Sequence, residues 1–520
     1  MKHATVHLVG VLGNAIALSL ISFLSSAQDL YRITEIGVLD GESRSVAVAM
    51  NASGQVAGNS ETNGGGPAWQ WNGTTIKKLG TLGYSSSATA INDVGQVTGY
   101  STTLDGEQHA FVWERGMMLD LGTLGGISSE GRDINRSGQV TGVSTLAGET
   151  SSHAFLWDGS TMKDLGTLGG TGSSGNEINN KGQVAGTARL SNGQNRAFLW
   201  DGNRMRNLGT LAGGIRSNGQ AINESGQVAG TSTTAGTNRL SLFIWDGATL
   251  NNLGNLGDTS MKVDAMNASG QIVGLSQDPF VSGVGPQDYA FLWNGATLQR
   301  LDALDNCFAP ISEAFAINAA GHAVGNACGA GPFLWDGTQQ LRISNLVDPQ
   351  DPLKPHVVFG TFTTIGAVDI NARGQIAING LDDRYQEGTT TRSQIRAFLL
   401  TPMEYQLQFV APASNSNWKR TASIPVKIAL VDRKGRRITD TRANSLISDP
   451  CKVKFSANGA QSKAPVCMKY NATTNEFSFN WTPGATAATG ATNLLGAATY
   501  KFSMPQMITT SKSRAITITQ

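Results

Sequence analysis

Polar and apolar positions alternate in short runs along most of the chain, and the runs recur with a fixed order. A short apolar strand ends in Asn, a tight turn follows, and a Gly-Gln-Val-x-Gly run begins the next strand. Clear copies are Ile91-Asn92-Asp93-Val94-Gly95-Gln96-Val97 and Ile222-Asn223-Glu224-Ser225-Gly226-Gln227-Val228. The central glycines are Gly54, Gly95, Gly138, Gly182, Gly226, Gly270, Gly321 and Gly374, spaced by 41, 43, 44, 44, 44, 51 and 53 residues. A near-constant period in this range marks an array of one supersecondary unit.

One period, Met162 to Trp200, predicts four short strands. A Leu-Gly strand (Met162 to Leu168) runs into Gly169-Gly170 and a Ser/Gly-rich connection. An Asn-ending strand closes at Glu177-Ile178-Asn179, and a Gln-Val strand starts at Gln183-Val184. After a polar loop comes a Phe-Trp strand, Ala197-Phe198-Leu199-Trp200, and Asp201-Gly202 turns into the next period. Gly adopts the positive φ that such hairpin turns require, and an Asn side chain can bond the turn backbone. Ala-Phe-Leu-Trp is apolar without alternation, which predicts a strand buried on both faces. Four-stranded sheets arranged radially, each covered by its neighbours, meet that demand, so a β-propeller is expected.

The Phe-Trp strand ends at Trp71, Trp113, Trp157, Trp200, Trp245, Trp293 and Trp335, with an altered eighth copy at Ala397-Phe398-Leu399-Leu400. The Leu-Gly strand recurs through Leu301 and, degraded, Leu341; its eighth copy stands at the other end, Ile33-Thr34-Glu35-Ile36-Gly37-Val38-Leu39. The expectation is an all-β chain whose residues 28–402 form about eight four-stranded blades closed by the N-terminal strand. Seven blades would result if an irregular unit near Cys307 or Pro349 were incomplete. An edge strand joined to the last blade would leave no open sheet edge at the seam. From Met403 the period stops. Tyr405 to Val410, Ser423 to Val431, Phe477 to Trp481 and Ala515 to Thr519 read as strands, and residues 403–520 are expected to form a small immunoglobulin-like β-sandwich.

The motifs Gly-Gln-Val-x-Gly, His109-Ala110-Phe111, His153-Ala154-Phe155 and Asp120-Leu121-Gly122-Thr123-Leu124-Gly125-Gly126 resemble the bacterial HAF extracellular repeats. The resemblance covers roughly residues 31–402. It implies a secreted or surface repeat protein and carries over no catalytic residue. The chain departs from the pattern in unit seven, at Gly321-His322-Ala323, and in unit eight, where the Trp is lost.

Residues 1–27 read as a signal peptide: Lys2 and His3, an apolar stretch from Val6 to Leu24, then Ser25-Ser26-Ala27 before polar Gln28-Asp29. The expected location is extracellular or cell-surface, with the periplasm as an alternative, and no other stretch is long and apolar enough to span a bilayer. In an exported chain the local pairs Cys307 with Cys328 and Cys451 with Cys467 are disulfide candidates. Net charge is +1, with 39 basic and 38 acidic residues, which argues against nucleic acid as a partner. No cofactor or metal is expected: Cys-x-x-Cys spacing is absent and there are six histidines.

No nucleophile elbow is visible. His109 and His153 occupy a place filled in other units by Arg196, Tyr289 and Arg396, which favours a structural role. The loops between the Gln-Val and Phe-Trp strands vary most, and variable loops on a rigid scaffold are where binding resides. The richest hold Asp278 and Phe280, and Asp382, Asp383, Arg384 and Tyr385; these, with Tyr289 at the entry of the strand that follows, are the ligand-binding candidates. The expected partner is an extracellular glycan or protein. The alternatives are a polysaccharide hydrolase or lyase working at the propeller channel, where Asp382, Asp383 and Glu387 are the densest acidic group of the loops, and a structural assembly protein.

Overall fold

A computed structural model describes residues 30–403 apart from 61–65, 149–150, 282–284, 302–310, 329–330, 361–365 and 386–393; for 278–281 and 285–286, and for strands outside 30–403, it describes the backbone alone. The chain divides into two compact units, Tyr31–Thr401 and Met1–Leu30 with Pro402–Gln520.

The first unit is a succession of four-stranded antiparallel sheets of the β-propeller type. In unit four Gly169–Ile178, Val184–Leu190, Asn195–Trp200 and Met205–Gly209 lie side by side in chain order. Each sheet therefore starts at an Asn-ending strand and finishes at a Leu-Gly strand, as the repeat implies; the Ser/Gly-rich stretch expected as a connection is itself strand, the first part of Gly169–Ile178, and the strand before it is shorter than expected, Met162–Asp164. Units two and three join into one continuous sheet through a parallel bridge between Gln108 and Ser128. Unit seven keeps four strands (Ser312–Ile317, Ala323–Ala327, Gly331–Trp335, Gln340–Arg342) and is followed by a helical turn, Ile343–Leu346. In unit eight Ala367–Ile370 and Val357–Val358 both pair with Ile376–Asp382, which pairs with Gln394–Pro402. The N-terminal strand Tyr31–Glu35 lies on the free side of Gln394–Pro402.

The Asn of these turns does two jobs, the second in every unit but unit five. Its Oδ1 accepts from the amides two and four residues on: for Asn135, Ser137 N at 3.0 Å and Gln139 N at 3.0 Å. Its Nδ2 donates across to the next unit's Asn carbonyl, as in Asn51 to Asn92 (2.9 Å), Asn92 to Asn135 (2.8 Å), Asn135 to Asn179 (3.0 Å), Asn179 to Asn223 (3.1 Å), Asn267 to Asn318 (3.0 Å) and Asn318 to Asn371 (3.1 Å). Asn371 reaches back to Asn51 O at 3.4 Å. A buried side-chain amide with every polar atom bonded is a strong register device.

The two glycines of Gly-Gln-Val-x-Gly have separate reasons. Gly138 sits at φ +80° in the turn, and a Cβ there would stand 3.0 Å from the Gln96 side chain of the preceding unit. Gly54 meets Gln375 of unit eight in the same way. The second glycine makes room for the aromatic ring opposite: a Cβ on Gly186 would lie 2.6 Å from Phe198, and one on Gly58 2.1 Å from Trp69. Phe111, Phe155, Phe198, Phe243, Phe291, Phe333 and Phe398 are fully buried, one core centre per unit with Trp69 in unit one.

In most units a serine from the following unit bonds the Phe-Trp strand. Ala110 N donates to Ser129 Oγ (2.8 Å), Ala154 N to Ser173 Oγ (2.9 Å) and Ala290 N to Ser312 Oγ (2.9 Å). Ala397 N of unit eight donates to Ser45 Oγ of unit one at 3.1 Å. Each Asn-ending strand lies beside that of the next unit, and that of unit eight beside that of unit one.

In the second compact unit Gln406–Ala411, Ile424–Val431, Glu476–Trp481 and Lys469–Asn471 form an antiparallel sheet. Another sheet joins Ala498–Ser503 and Arg514–Thr519 with Asn417–Lys419, Val6–Gly10 and Ala17–Leu20. No helix among the described residues is long and apolar enough to cross a membrane.

Candidate functional site

Two regions gather side chains that the repeat does not consume. The first lies where Phe-Trp strands begin and Leu-Gly strands end. Phe111 faces Asp120 across these strands, and His109, two residues earlier on the same side, bonds Asp120 through Nδ1 at 2.9 Å. His153 and Asp164 repeat the pair at 2.9 Å. In unit six the couple becomes Tyr289 with Arg300, whose guanidinium stands 4.1 Å over the ring. The type drifts because partners change together across one register position, a cross-strand pair.

Unit eight holds the fullest version. Ile36 N donates to Ala397 O at 3.1 Å, the bond made by Leu121 N to Ala110 O (3.0 Å) and Leu165 N to Ala154 O (2.9 Å). Glu35 thus stands where Asp120 and Asp164 stand, and Arg396 where the histidines stand. Arg384 Nη2 bonds Glu35 Oε2 and Asp382 Oδ2, each at 2.6 Å, and Nε bonds Asp382 Oδ1 at 3.0 Å. The Tyr385 hydroxyl donates to Glu35 Oε1 at 2.8 Å, and Arg396 lies 4.1 Å over its ring. Asp382 is wholly buried; burial acts to raise its pKa, but the Arg384 guanidinium and amide outweigh it and hold the carboxyl below its ordinary value. Burial lowers the Arg396 pKa and raises that of Tyr385. Asp383 turns away, to His356 Nδ1 at 2.9 Å. Tyr385 is 37% exposed, so an aromatic surface reaches solvent beside two guanidiniums and two carboxylates.

The candidates therefore separate. Asp382, Arg384 and Tyr385 come together with Glu35 and Arg396, whereas the Asp383 side chain pairs with His356 instead. Tyr289 belongs to a second group, in which Arg300 bonds buried Asp258 at 2.5 Å and Ser276 donates to the same carboxylate. The side chains of Asp278 and Phe280 lie outside the described residues, as do Glu387 and the side chains of Cys307, Cys451 and Cys467. Cys328 is described, and its amide donates to Ile311 O at 2.7 Å.

The second region, which sequence reasoning missed, is the wall of Asn-ending strands. Every one of these strands carries a β-bulge at the same place, centred on residues such as Arg132, Asn176 and Asp264. Asp133 Oδ2 accepts from Ile178 N (2.9 Å) and Glu177 Oε2 from Ile222 N (2.7 Å), each in the following unit, and Asp369 Oδ2 of unit eight from Met50 N of unit one (2.9 Å). Burial raises the Asp133 pKa, carries Asp369 to about 6, and with the Asp133 charge takes Glu177 to about 8. Asp264 is raised to about 7 by burial, against the pull of Lys262 at 2.6 Å; Lys262 also bonds Glu313 at 2.9 Å. The available signal was a break in the pattern. The residue before Ile-Asn or Met-Asn is Ala in units one, two, five, six and seven but Asp133, Glu177 and Asp369 in the others.

No family model matches the chain, and no curated protein does. Among solved structures it is similar to an oligogalacturonate lyase from Vibrio parahaemolyticus (TM-score 0.38, 10% identity, 77% of this chain and 98% of that one). It is also similar to a prolyl endopeptidase (TM-score 0.39, 10% identity, 79% and 56%) and to the β-propeller domain of the trilobed protease from Pyrococcus furiosus (TM-score 0.35, 10% identity, 59% and 97%). The activities in those names belong to those proteins.

Proposed function

We propose that the chain is an exported, HAF-type repeat protein whose eight blades close into a ring through the N-terminal strand, and that it is a non-catalytic binding module holding an extracellular glycan or protein on its loop face. Closure is supported by the Ile36–Ala397 bond, which matches the bond between the last two strands inside other units, and by three links of unit eight to unit one that match links between other units: Ser45 with Ala397, Asn371 with Asn51, and Gln375 with Gly54. An immunoglobulin-like fold for 403–520, a cleaved leader at 1–27 and the pairs Cys307–Cys328 and Cys451–Cys467 complete the reading.

The observation that carries the binding role is the Glu35–Asp382–Arg384–Tyr385–Arg396 group. Repeated Asn, Gln and Ser side chains are used up between blades, whereas this group is unrepeated and exposes an aromatic ring amid paired charges. Such a surface offers stacking to a sugar ring and both donors and acceptors to its hydroxyls. A glycan array probed with wild type and with Tyr385→Ala tests it. Saturable binding to one sugar class, weakened at least tenfold by the substitution, is the expected result. Loop replacements at Asp278–Phe280 and Asp382–Tyr385 that leave every ligand interaction unchanged would overturn the assignment.

A polysaccharide-cleaving activity at the inner wall has one observation in its favour, the Asp264–Lys262–Glu313 group with its raised carboxyl. It predicts release of reducing ends from a polysaccharide panel, abolished in Asp264→Asn.

A further inference from the structure

The outer edge of unit two differs from those of its neighbours. Its Leu-Gly strand, Met117–Asp120, is hydrogen-bonded only to Gln108–Glu114, with Leu119 opposite Val112 and Met118 opposite Trp113. The place of Leu119 is held by Lys77 in unit one, Lys163 in unit three, Arg206 in unit four, Asn251 in unit five and Gln299 in unit six, and in unit seven by Leu341, which is partly buried against a core cluster. Charged and polar groups on an edge strand oppose pairing, because a second strand would strip them of water. Lys163 and Arg206 also cover neighbouring indoles, 4.6 Å over Trp200 and 5.4 Å over Trp245. Unit two instead presents Met117 at 74% and Leu119 at 51% exposure.

Of ten large apolar side chains exposed among the described residues, six fall between positions 84 and 127: Tyr84, Val94, Leu104, Met117, Leu119 and Ile127. Of these, Met117 and Leu119 lie on the edge strand itself.

We propose that this edge is a homodimer interface, in which Met117–Asp120 pairs antiparallel with the same strand of a second copy. A two-fold axis through Met118 sets Met117 of each copy against Leu119 of the other, on the same face of the joined sheet. It also brings the Arg115 end of one strand alongside the Asp120 end of the other, twice; these side chains are 86% and 41% exposed. The net charge of +1 sets no barrier between copies. Pairing uses up both edges, so assembly stops at two. This interface lies on the rim of the sheet and does not depend on the loop-face ligand.

Sedimentation velocity and light scattering of the full chain over a concentration series test it. The expected mass rises reversibly from one chain to two and goes no further. Leu119→Lys, which installs the residue type of units one and three, raises the dimer dissociation constant at least tenfold without changing circular dichroism or melting of the monomer. Met117→Thr, which copies Thr161 of unit three, weakens the dimer in the same direction. A monomer throughout the series overturns the proposal, as does a dimer indifferent to both substitutions or growth beyond two copies.

Discussion

Replacing Glu177 by Gln is expected to stabilise the protein at alkaline pH and to change little at acid pH. Glu177 Oε2 accepts from Ile222 N at 2.7 Å, a bond that an amide oxygen can also accept. Its carboxyl is raised from 4.5 to about 8, by burial first and then by the Asp133 charge in the neighbouring unit. A raised folded-state pKa means that the folded protein holds a proton that the unfolded chain has released. Stability is therefore full below the unfolded value and is lost as pH rises toward about 8. At about 1.4 kcal/mol per pKa unit the loss is roughly 3–5 kcal/mol. With an unfolding entropy of about 2.1 cal/mol/K per residue over Tyr31–Thr401, that corresponds to about 4–6 °C in Tm. Differential scanning calorimetry of both proteins from about pH 5 to about pH 9 reads the effect. The Gln variant should gain on wild type as pH rises, by most of that amount. A gap that is constant with pH, or a Gln variant that is the less stable at pH 9, would refute the reasoning.

Three further substitutions probe the links within and between units. Asn135→Ala removes four bonds at a buried site and should cost about 3–4 kcal/mol by chemical denaturation, against about 1 for Asn72→Ala at an exposed turn. Gly138→Ala, at φ +80° and against Gln96, should cost clearly more than Gly148→Ala, at φ +69° in open space, where only the roughly 1–2 kcal/mol of left-handed backbone applies. Arg384→Leu leaves buried Asp382 without its cation and should cost about 3–5 kcal/mol at neutral pH, shrinking as acid protonates Asp382; a loss independent of pH would show that the carboxylate is not what Arg384 stabilises.

The repeat was legible because its residues act locally: Asn135 and Gly138 announce a turn, and Phe155 facing Gly142 announces a two-sided core strand. The displaced strand at Ile33–Leu39 was legible by the same pattern. What the pattern could not carry was partnership across units. Glu35 and Arg384 are far apart in sequence, and nothing in either segment names the other; only the closing of unit eight on the N-terminal strand joins them. Asp133 and Glu177 were passed over because a carboxylate one residue before Ile-Asn reads as an ordinary exposed strand position. The bulge at that place turns it toward the amide of the next unit. His109 and Asp120 looked like unrelated features until the strand register set them side by side.

The central claim is that the chain closes on itself through its N-terminal strand. Hydrogen exchange read by mass spectrometry on a peptide covering residues 31–39 tests it most directly. The account predicts protection of the Ile36 amide, bonded to Ala397 O, as slow as that of the Leu121 and Leu165 amides inside regular units. Exchange of 31–39 at the rate of a free peptide, with Leu121 and Leu165 protected, would contradict it.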